Sequence, residues 1–440
     1  MKCLIIAAGK GSRLWQRGNT KPLVPLLGVP LIERVIRSAT DAGIKDFYVV
    51  SGYNGEKVRP FLDGLALRCE LTMTHLINAD WEQDNGLSVL KAKEHLREPF
   101  LLMMADHLFD PDILRELINQ PPSQGEITLA VDGDLANELI DMDDVTRVKH
   151  EHGKLIAIGK DLADFNGFDT GLFLCTPALF GALDRSVADQ GDTSLSGGVR
   201  CLAEEGRVNI LDIDGRFWLD VDDPEALAKG ERALLARLRD KPNDGPVSKY
   251  LNRPISVRIS RYLARLPITP NQISLLSFFG FSLAAMLFVM GGYPALAAGG
   301  ALAQLASILD GCDGEVARLK FQESEYGGWF DAVLDRYADA FLLFGLTWHA
   351  LAGSADKWVL FVGFLAIIGS FMLSYTADKY DRLMRPRFTT GKGWRMGRDI
   401  RVFLVFLGAL INQPFGTLLV IAAVMNGEVV RRVWVSRDRG

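Results

Sequence analysis

The 440-residue sequence has few cysteines and histidines, and neither type shows a ligand pattern. The five cysteines are odd in number and form no Cys-x-x-Cys pair, which argues against a disulfide framework. The six histidines show no metal-ligand spacing either. We therefore expect reduced thiols in a cytosolic setting.

We expect no signal peptide, because the first apolar run, at residues 3–8, is too short for a membrane span. Internal repeats and low-complexity tracts are also lacking.

Charged residues are absent from one long stretch of the sequence. No Asp, Glu, Lys or Arg occurs between Leu266 and Leu309, which leaves room for two spans of about 20 residues each. Residues 1–240 hold 27 Lys and Arg against 39 Asp and Glu, and residues 241–440 hold 22 against 15. This asymmetry predicts an acidic soluble domain joined to a basic membrane domain.

The apolar pattern predicts six transmembrane helices, near 271–291, 294–318, 327–351, 356–377, 395–412 and 414–432. Eight Lys and Arg residues lie between positions 378 and 401, so the positive-inside rule places that loop in the cytoplasm. Six spans then put the N-terminal domain, the active sites and the basic C-terminus on the cytoplasmic side. We expect a multi-pass protein of the cell membrane.

The N-terminal half alternates apolar strand patterns, at 3–8, 46–51, 100–105 and 126–131, with helical patterns. This alternation predicts a Rossmann-like α/β domain with a mostly parallel sheet. A linker rich in Pro, Asn, Asp and Gly follows at 240–246, and the basic, apolar segment 247–265 predicts an amphipathic helix on the membrane surface. The predicted domains are 1–240, a linker and juxtamembrane helix at 241–265, and an all-α membrane domain at 266–440.

Four acids, Asp310, Asp313, Asp331 and Asp335, lie at the junction of two strongly apolar stretches. Spacings of three and four place the members of each pair on one helix face. Ionised acids at a membrane edge are costly without compensating cations, and clustered oxygen ligands suit Mg²⁺, Mn²⁺ or Ca²⁺ better than zinc. The pattern predicts a divalent-metal site that acts on a phosphorylated substrate.

A glycine-rich turn follows the first strand, in the run Ala-Ala-Gly-Lys-Gly-Ser-Arg-Leu at residues 7–14. Such a turn lets backbone N–H groups approach a phosphate closely. The dinucleotide fingerprint would need a glycine at Leu14, and the P-loop would need Gly-Lys-Ser/Thr, so neither motif fits. Arg13 and Lys21 nevertheless offer two cations to a triphosphate.

This run, with Lys21-Pro22-Leu23 after it, resembles the sugar-phosphate nucleotidyltransferase family over residues 1–235. The resemblance implies Mg²⁺ or Mn²⁺ on Asp106 and Asp220, with Asp222 as an alternative to Asp220. It implies that Lys160 binds the sugar phosphate, although Asp161 follows it in place of the usual proline. Asp169 would line the acceptor pocket, and Arg13 and Lys21 would assist the departure of pyrophosphate. The implied nucleotide-binding residues, with CTP favoured by the segment at 85–88, are Gly9, Gly11, Arg13, Lys21, Asn85 and Gly86.

Residues 310–335 match the CDP-alcohol phosphotransferase signature, Asp-x-x-Asp-Gly-x-x-Ala-Arg, eight residues, then Gly-x-x-x-Asp-x-x-x-Asp, at every defined position. This resemblance covers about 250–435. It implies that the four acids bind one or two Mg²⁺ or Mn²⁺ ions, with Asp335 also acting as the general base. Gly314 and Arg318 would contact the CDP group. The candidates for an anionic acceptor are Arg385, Arg398 and Arg401; the alternative for each arginine is a topology-setting charge.

The two modules together predict consecutive reactions, as in the family of bifunctional inositol-phosphate cytidylyltransferases and transferases that the arrangement resembles. That resemblance implies CDP-inositol formation from CTP and inositol 1-phosphate, then transfer to a second inositol 1-phosphate with release of CMP. The expected partners are CTP, a phosphorylated alcohol, a CDP-alcohol, the bilayer and a second copy in a homodimer, but no nucleic acid. One alternative is a different CDP-alcohol (choline, ethanolamine, glycerol or phosphonate type) passed to a lipid. A non-enzymatic membrane anchor or transporter is the other, and the intact motifs argue against it.

Overall fold

The structure, a computed structural model, describes residues 1–18, 20–239, 245–354, 356–383 and 397–437. The chain divides into two compact units, Met1–Ala233 and Leu234–Gly440. The first unit contains two large hydrophobic clusters, and the second unit has a separate helical core.

The first unit is an α/β domain. Its strands are β1 (Lys2–Ala7), β2 (Pro25–Leu26), β3 (Val29–Pro30), β4 (Asp46–Ser51), β5 (Thr72–Ile77), β6 (Phe100–Met104), β7 (His107–Phe109), β8 (Ile127–Asp132), β9 (Arg147–Glu151), β10 (Lys154–Gly159), β11 (Gly167–Cys175), β12 (Val208–Asp212) and β13 (Trp218–Asp220). Its helices are α1 (Leu31–Asp41), α2 (Gly55–Cys69), α3 (Asn85–Leu90), α4 (Pro111–Asn119), α5 (Ala178–Arg185), α6 (Leu195–Glu204) and α7 (Pro224–Arg237), the last of which continues past Ala233.

Nine strands form the main sheet, in the order β5-β4-β1-β6-β11-β8-β12-β10-β9. The four predicted strands are present as β1, β4, β6 and β8. The prediction of a mostly parallel sheet holds for β5-β4-β1-β6 and for the pair β8-β12. In contrast, β11 pairs antiparallel with both β6 and β8, and β10 pairs antiparallel with β12 and β9. A tight turn at His152 and Gly153, both with positive φ, joins β9 and β10 as an antiparallel hairpin. The sheet is therefore mixed.

Strand β1 lies in the middle of the parallel part and is buried on both faces. Cys3 and Ile5 belong to the cluster on one face, and Leu4 and Ile6 belong to the cluster on the other face. This burial fits a strand covered by helices on both sides. Because β1 and β6 run parallel, their carboxyl ends meet at one sheet edge, where α/β proteins bind ligands.

The second unit is helical. Its helices are α8 (Arg253–Leu263), α9 (Pro270–Met290), α10 (Tyr293–Lys320), α11 (Glu325–Ser354), α12 (Lys357–Leu383), α13 (Arg398–Leu410) and α14 (Pro414–Arg437). The last six correspond to the six predicted helices. Within the described ranges, four segments are long and apolar enough to cross a membrane: Pro270–Met290, Tyr293–Lys320, Lys357–Thr376 and Pro414–Trp434. Helix α11 carries several charges, and α13 has 13 residues against the ~20 of a full span.

Helix α9 begins with a capping box, in which Thr269 and Gln272 satisfy each other's backbone N–H groups. Gly291 and Gly292, with φ of 79° and 78°, form the turn into α10. Small residues bring the helices close together, since a Cβ on Gly345 of α11 would lie 2.6 Å from the carbonyl oxygen of Ala285 in α9. Helices α9 and α11 therefore pack backbone to backbone at this position.

Helix α8 occupies the segment predicted to lie on the membrane surface. Its Ser256 and Ser260 donate hydrogen bonds to Glu315 of α10, and Arg253 forms an ion pair with the same fully buried carboxylate. Tyr262, by contrast, is exposed. The helix thus turns a polar face towards α10 and leaves an aromatic residue outside.

Candidate active sites

The turn after β1 places Gly9 and Gly11 at the carboxyl end of the strand. Gly11 has a left-handed φ of 60°, and a Cβ there would collide with the side chain of Lys21. A Cβ on Gly9 would meet no atom within 4 Å, so a ligand can approach this backbone closely. The loop has the properties that phosphate binding requires.

The ammonium group of Lys21 is buried and forms ion pairs with Asp106 and Asp222. Burial by itself would lower the pKa of Lys21, but the neighbouring carboxylates outweigh it and raise this pKa above its usual value. Burial and the Asp220 carboxylate raise the pKa of Asp222 to about 6, although Lys21 opposes them. Lys21 therefore stays charged in the site.

Asp106, His107 and Asp220 form a group whose ligand atoms all lie within 4.8 Å of one another. His107 Nδ1 is 2.8 Å from the Thr170 carbonyl oxygen and donates to it, which leaves Nε2 facing Asp220 Oδ1 at 3.4 Å. Burial lowers the pKa of His107, but the two carboxylates raise it to about 10. Asp220 Oδ1 is buried and makes no hydrogen bond to any described residue. The two carboxylates fit a divalent cation, and His107 would join them as a ligand on losing its Nε2 proton.

One acid that the sequence did not indicate, Asp144, holds two of the predicted substrate cations. Its carboxylate accepts hydrogen bonds from Arg13 and from Lys160. The bond from Arg13 is the main reason that the pKa of Asp144 lies well below its usual range. Both cations are more than half exposed, so a phosphate can reach them.

A cavity of about 550 Å³ adjoins this region, and its walls include Asn85, Lys160, Asp169 and Asp220. The Asn85 side chain accepts a hydrogen bond from the Leu195 backbone N–H, 2.9 Å away. Asp169 accepts one from the Gly171 N–H at 2.8 Å, and burial raises the pKa of Asp169 to about 6. The cavity therefore gathers the predicted base-reading, phosphate-binding and acceptor residues around one space.

Gly86 lies beside Asn85 at the start of α3. A Cβ on Gly86 would come within 2.8 Å of the Ser194 backbone, so the glycine lets α3 pack closely on the start of α6. Its position next to the cavity wall is that of a packing residue, and a role in nucleotide binding stays a prediction.

In the second unit, the acids of the signature come from two neighbouring helices. Asp310, Asp331 and Asp335 form a group whose ligand atoms lie within 4.8 Å of one another. Asp313 stands beside them, and its carboxylate accepts hydrogen bonds from Ser274 and from the Gly314 backbone N–H. Carboxylate oxygens gathered in a weakly solvated region fit a divalent cation.

Arg398 of α13 reaches into this group. One of its terminal nitrogens, Nη1, contacts Asp335 and lies 2.7 Å from Asp310 Oδ2. Its Nε lies 3.2 Å from Asp339, an acid one helical turn beyond Asp335. Arg401 also donates to Asp339, at 2.6 Å. Asp339 thus joins two of the predicted acceptor arginines to the metal-binding group.

The three remaining predicted residues of the second site are Gly314, Arg318 and Arg385. Arg318 makes no ion pair within the described ranges, and the backbone of Gly314 lies next to its guanidinium. The two residues therefore adjoin each other on α10, and their contact with the CDP group stays a prediction. Arg385 lies outside the described residues.

Comparison with known proteins identifies both halves. Residues 3–318 match the MobA-like NTP transferase domain family, and residues 267–430 match the CDP-alcohol phosphatidyltransferase family. The chain is 37% identical over 436 residues to a protein from Rubrobacter xylanophilus named bifunctional IPC transferase and DIPP synthase, covering 98% of this chain and 95% of that protein. A protein of the same name from Aquifex aeolicus is 32% identical, with coverages of 98% and 97%. The chain belongs to this family.

Membership in the bifunctional IPC transferase and DIPP synthase family confirms the prediction of an enzyme with a nucleotidyltransferase and a CDP-alcohol phosphotransferase domain. CDP-alcohol phosphotransferases generally depend on divalent metal, and the acidic groups of this member agree with that dependence. Its apolar helices make it a membrane protein. Among solved structures, the inositol-1-phosphate CTP transferase from T. maritima aligns with 52% of this chain and 93% of its own, at 23% identity and a TM-score of 0.48.

Several residues of the two sites were not predicted from the sequence. His107 could have been found, since it directly follows Asp106. Asp339 could also have been found, because it continues the spacing of four from Asp331 and Asp335. Asp144 gives no local signal, because only the fold brings it to Arg13 and Lys160.

Proposed function

We propose that the first unit makes CDP-inositol from CTP and inositol 1-phosphate, and that the second unit transfers the inositol phosphate group to another inositol 1-phosphate. In the first reaction a phosphate oxygen of inositol 1-phosphate attacks the α-phosphorus of CTP, and pyrophosphate leaves. In the second, an inositol hydroxyl attacks the phosphorus that bears inositol in CDP-inositol, and CMP leaves. The names of the full-length relatives and the two intact motif sets support this pair of reactions.

In the first reaction, the side chains of the cavity hold the substrates in line. The open backbone at Gly9 and Gly11 accepts the triphosphate, and Arg13 and Lys21 offset the charge that grows on the departing pyrophosphate. Lys160 holds the attacking phosphate. Asn85 and Gly86 contact the cytosine base, and Asp169 binds the acceptor.

Divalent metal, Mg²⁺ or Mn²⁺, fits both acidic groups, on Asp106 and Asp220 in the first unit and on Asp310, Asp313, Asp331 and Asp335 in the second. When bound, the metal draws charge from phosphate oxygens and from the leaving group. We assign Asp220 rather than Asp222 as the second ligand in the first unit, because Asp220 lies in one group with Asp106 and His107 and its Oδ1 has no hydrogen bond among the described residues.

In the second reaction, Asp335 takes the proton from the attacking hydroxyl. Its carboxylate lies with Asp310 and Asp331 in the group assigned to metal, next to the place where the hydroxyl would approach the phosphorus, which suits a general base. Gly314 and Arg318 bind the pyrophosphate of the CDP-alcohol, because this arginine has no acidic partner in the described ranges.

The single observation that carries the choice of acceptor is the pair Arg398 and Arg401 beside the acid group, of which Arg398 is partly buried and Arg401 is buried. Two guanidinium groups in a weakly solvated site suit an acceptor that brings its own negative charge, such as a phosphate. A neutral lipid alcohol would gain nothing from them. Arg385 is a third candidate for this pocket.

We further propose a membrane topology of six spans, with both active sites and both chain ends in the cytoplasm. The basic segment 378–401 supports that orientation. The domain limits of 1–240, 241–265 and 266–440, the surface position of the juxtamembrane helix, and a homodimer formed through the membrane helices remain predictions.

The test is to incubate the purified full-length protein with Mg²⁺, CTP and a panel of phosphorylated alcohols while pyrophosphate and CMP are measured. We expect pyrophosphate, and then CMP, with inositol 1-phosphate alone. The panel also contains the phosphates of choline, ethanolamine and glycerol, each with and without lipid vesicles.

CMP release that requires vesicles would favour the phospholipid-forming alternative and contradict the soluble acceptor. Pyrophosphate release with another alcohol phosphate, but not with inositol 1-phosphate, would contradict the inositol assignment while leaving the two reaction types in place.

A further inference from the structure

Two serines of α9 contact the two acids that begin the signature on α10. Ser277 Oγ lies 2.9 Å from Asp310 Oδ1, and Ser274 Oγ contacts Asp313 Oδ2. Both serines are almost fully buried. The serines are three residues apart, as are the acids, and the pairs run in opposite order because α9 and α10 form an antiparallel hairpin. Two serine–aspartate hydrogen bonds, one helical turn apart, thus connect α9 and α10.

Each serine hydroxyl has a competing acceptor on its own helix. Ser277 Oγ is also 2.9 Å from the Ser274 carbonyl oxygen, and Ser274 Oγ is 3.3 Å from the Pro270 carbonyl oxygen. A hydroxyl has one proton to donate, and an ionised carboxylate is a stronger acceptor than an amide carbonyl. The protons therefore go to Asp310 and Asp313.

Each oxygen of the two carboxylates has its own hydrogen-bond partner. Asp310 has Oδ1 occupied by Ser277, while Oδ2 faces the terminal nitrogen of Arg398 at 2.7 Å. Asp313 has Oδ2 occupied by Ser274 and Oδ1 by the Gly314 N–H. Hydrogen bonds to a carboxylate that ligates metal fix its rotation and tune its affinity for metal.

We propose that Ser274 and Ser277 are positioning residues, which orient Asp310 and Asp313 for divalent metal without touching substrate. The inference rests on the proposed function only in taking these acids as metal ligands. The signature begins at Asp310 and does not include α9. The proposal therefore gives α9 a part in orienting the metal ligands.

The test measures Mn²⁺ binding directly, by electron paramagnetic resonance of free Mn²⁺, on the full-length protein without substrates. All variants carry Asp106→Asn, which weakens the metal group of the first unit. Ser274→Ala and Ser277→Ala should each bind Mn²⁺ about tenfold more weakly, at the lower end of the ~10–100-fold seen when such outer contacts are lost. Ser277→Thr, which keeps the hydroxyl, should retain the affinity of the parent.

The matched control is Ser282→Ala on the same helix. Ser282 Oγ donates to the Phe278 carbonyl oxygen at 2.9 Å and has no carboxylate partner in the described ranges. This variant should bind Mn²⁺ as the parent does. If an alanine variant fails to fold, Ser277→Cys, which keeps a similar volume and a weaker donor, should bind with intermediate affinity.

Unchanged Mn²⁺ affinity in both alanine variants would overturn the proposal, as would equal losses in Ser282→Ala. A parent protein that binds no Mn²⁺ at the second site would overturn it too. Because no substrate is present, these outcomes are independent of the substrate panel that tests the proposed function.

Discussion

In each unit a side-chain cation contacts at least one carboxylate that is assigned to metal. Lys21 contacts Asp106 and Asp222, and Arg398 contacts Asp310 and Asp335. A buried carboxylate group is costly without a counter-charge, so a fixed cation lowers the cost of assembling the site. The same cation is then next to the place where phosphate must bind.

Replacing Arg398 by Ala should raise the acceptor KM about tenfold or more, because a hydrogen bond between charged groups is worth ~1.5–3 kcal/mol. The KM of the CDP-alcohol should change less. Initial rates of CMP release, with each substrate varied in turn, give both constants.

The control for this arginine is Arg258→Ala, an exposed arginine of α8 that forms no ion pair within the described ranges. It should leave both constants unchanged. An unaltered acceptor KM in Arg398→Ala would reduce Arg398 to a charge that sets topology.

At the scale of elements, the second site depends on how closely three helices approach. Helix α10 contributes Asp310 and Asp313, helix α11 contributes Asp331 and Asp335, and helix α9 packs on both. The contact of α9 with α11 is set at Gly345, where a side chain would meet the Ala285 backbone. Packing at a residue far along the helix therefore affects where the acids stand.

Gly345→Leu should lower the free energy of unfolding by about 1–3 kcal/mol, because the added side chain must push α9 and α11 apart. Thermal unfolding of the detergent-solubilised protein checks this prediction, and we expect a lower midpoint temperature. Gly353→Ala serves as the control, since a Cβ on Gly353 of the same helix meets no atom within 4 Å. A Gly345 variant as stable as the control would show that this contact can relax.

Sequence patterns predicted the elements well where a local rule applies. The central strands β1, β4, β6 and β8 and the positions of six helices follow from apolar periodicity and length. The antiparallel insertion of β11 does not, because pairing partners far apart in sequence leave no periodic signal. The signature acids were predictable because their spacing is fixed within helices.

The residues that hold those acids in place were less predictable. Ser274 and Ser277 lie more than 30 positions from their partners. An ordinary apolar helix with a few serines gives no sign of which ones meet a carboxylate. The same limit applies to Asp144, which is brought to Arg13 across 131 positions.

At the scale of the molecule, each catalytic group lies within one compact unit that has a hydrophobic core of its own. Asp106 and Asp220 belong to the first unit, and the signature acids belong to the second. We therefore expect the two activities to be separable by single substitutions.

Asp106→Asn should reduce pyrophosphate release from CTP by at least about 100-fold, since a metal ligand and a partner of Lys21 are lost together. Supplied CDP-inositol should still yield CMP at the normal rate. Asp80→Asn, which alters an exposed acid paired with Lys91, is the control and should keep both rates. Loss of both activities in Asp106→Asn would contradict separable modules.

The shared acid of the first unit has a thermodynamic consequence. Asp144 neutralises Arg13 and Lys160 together, and these cations are assigned to different substrates. Each substrate must draw its cation away from the same counter-ion, so the free energy of binding one depends on whether the other is present. By linkage, CTP and the phosphorylated alcohol must alter each other's affinity by the same factor.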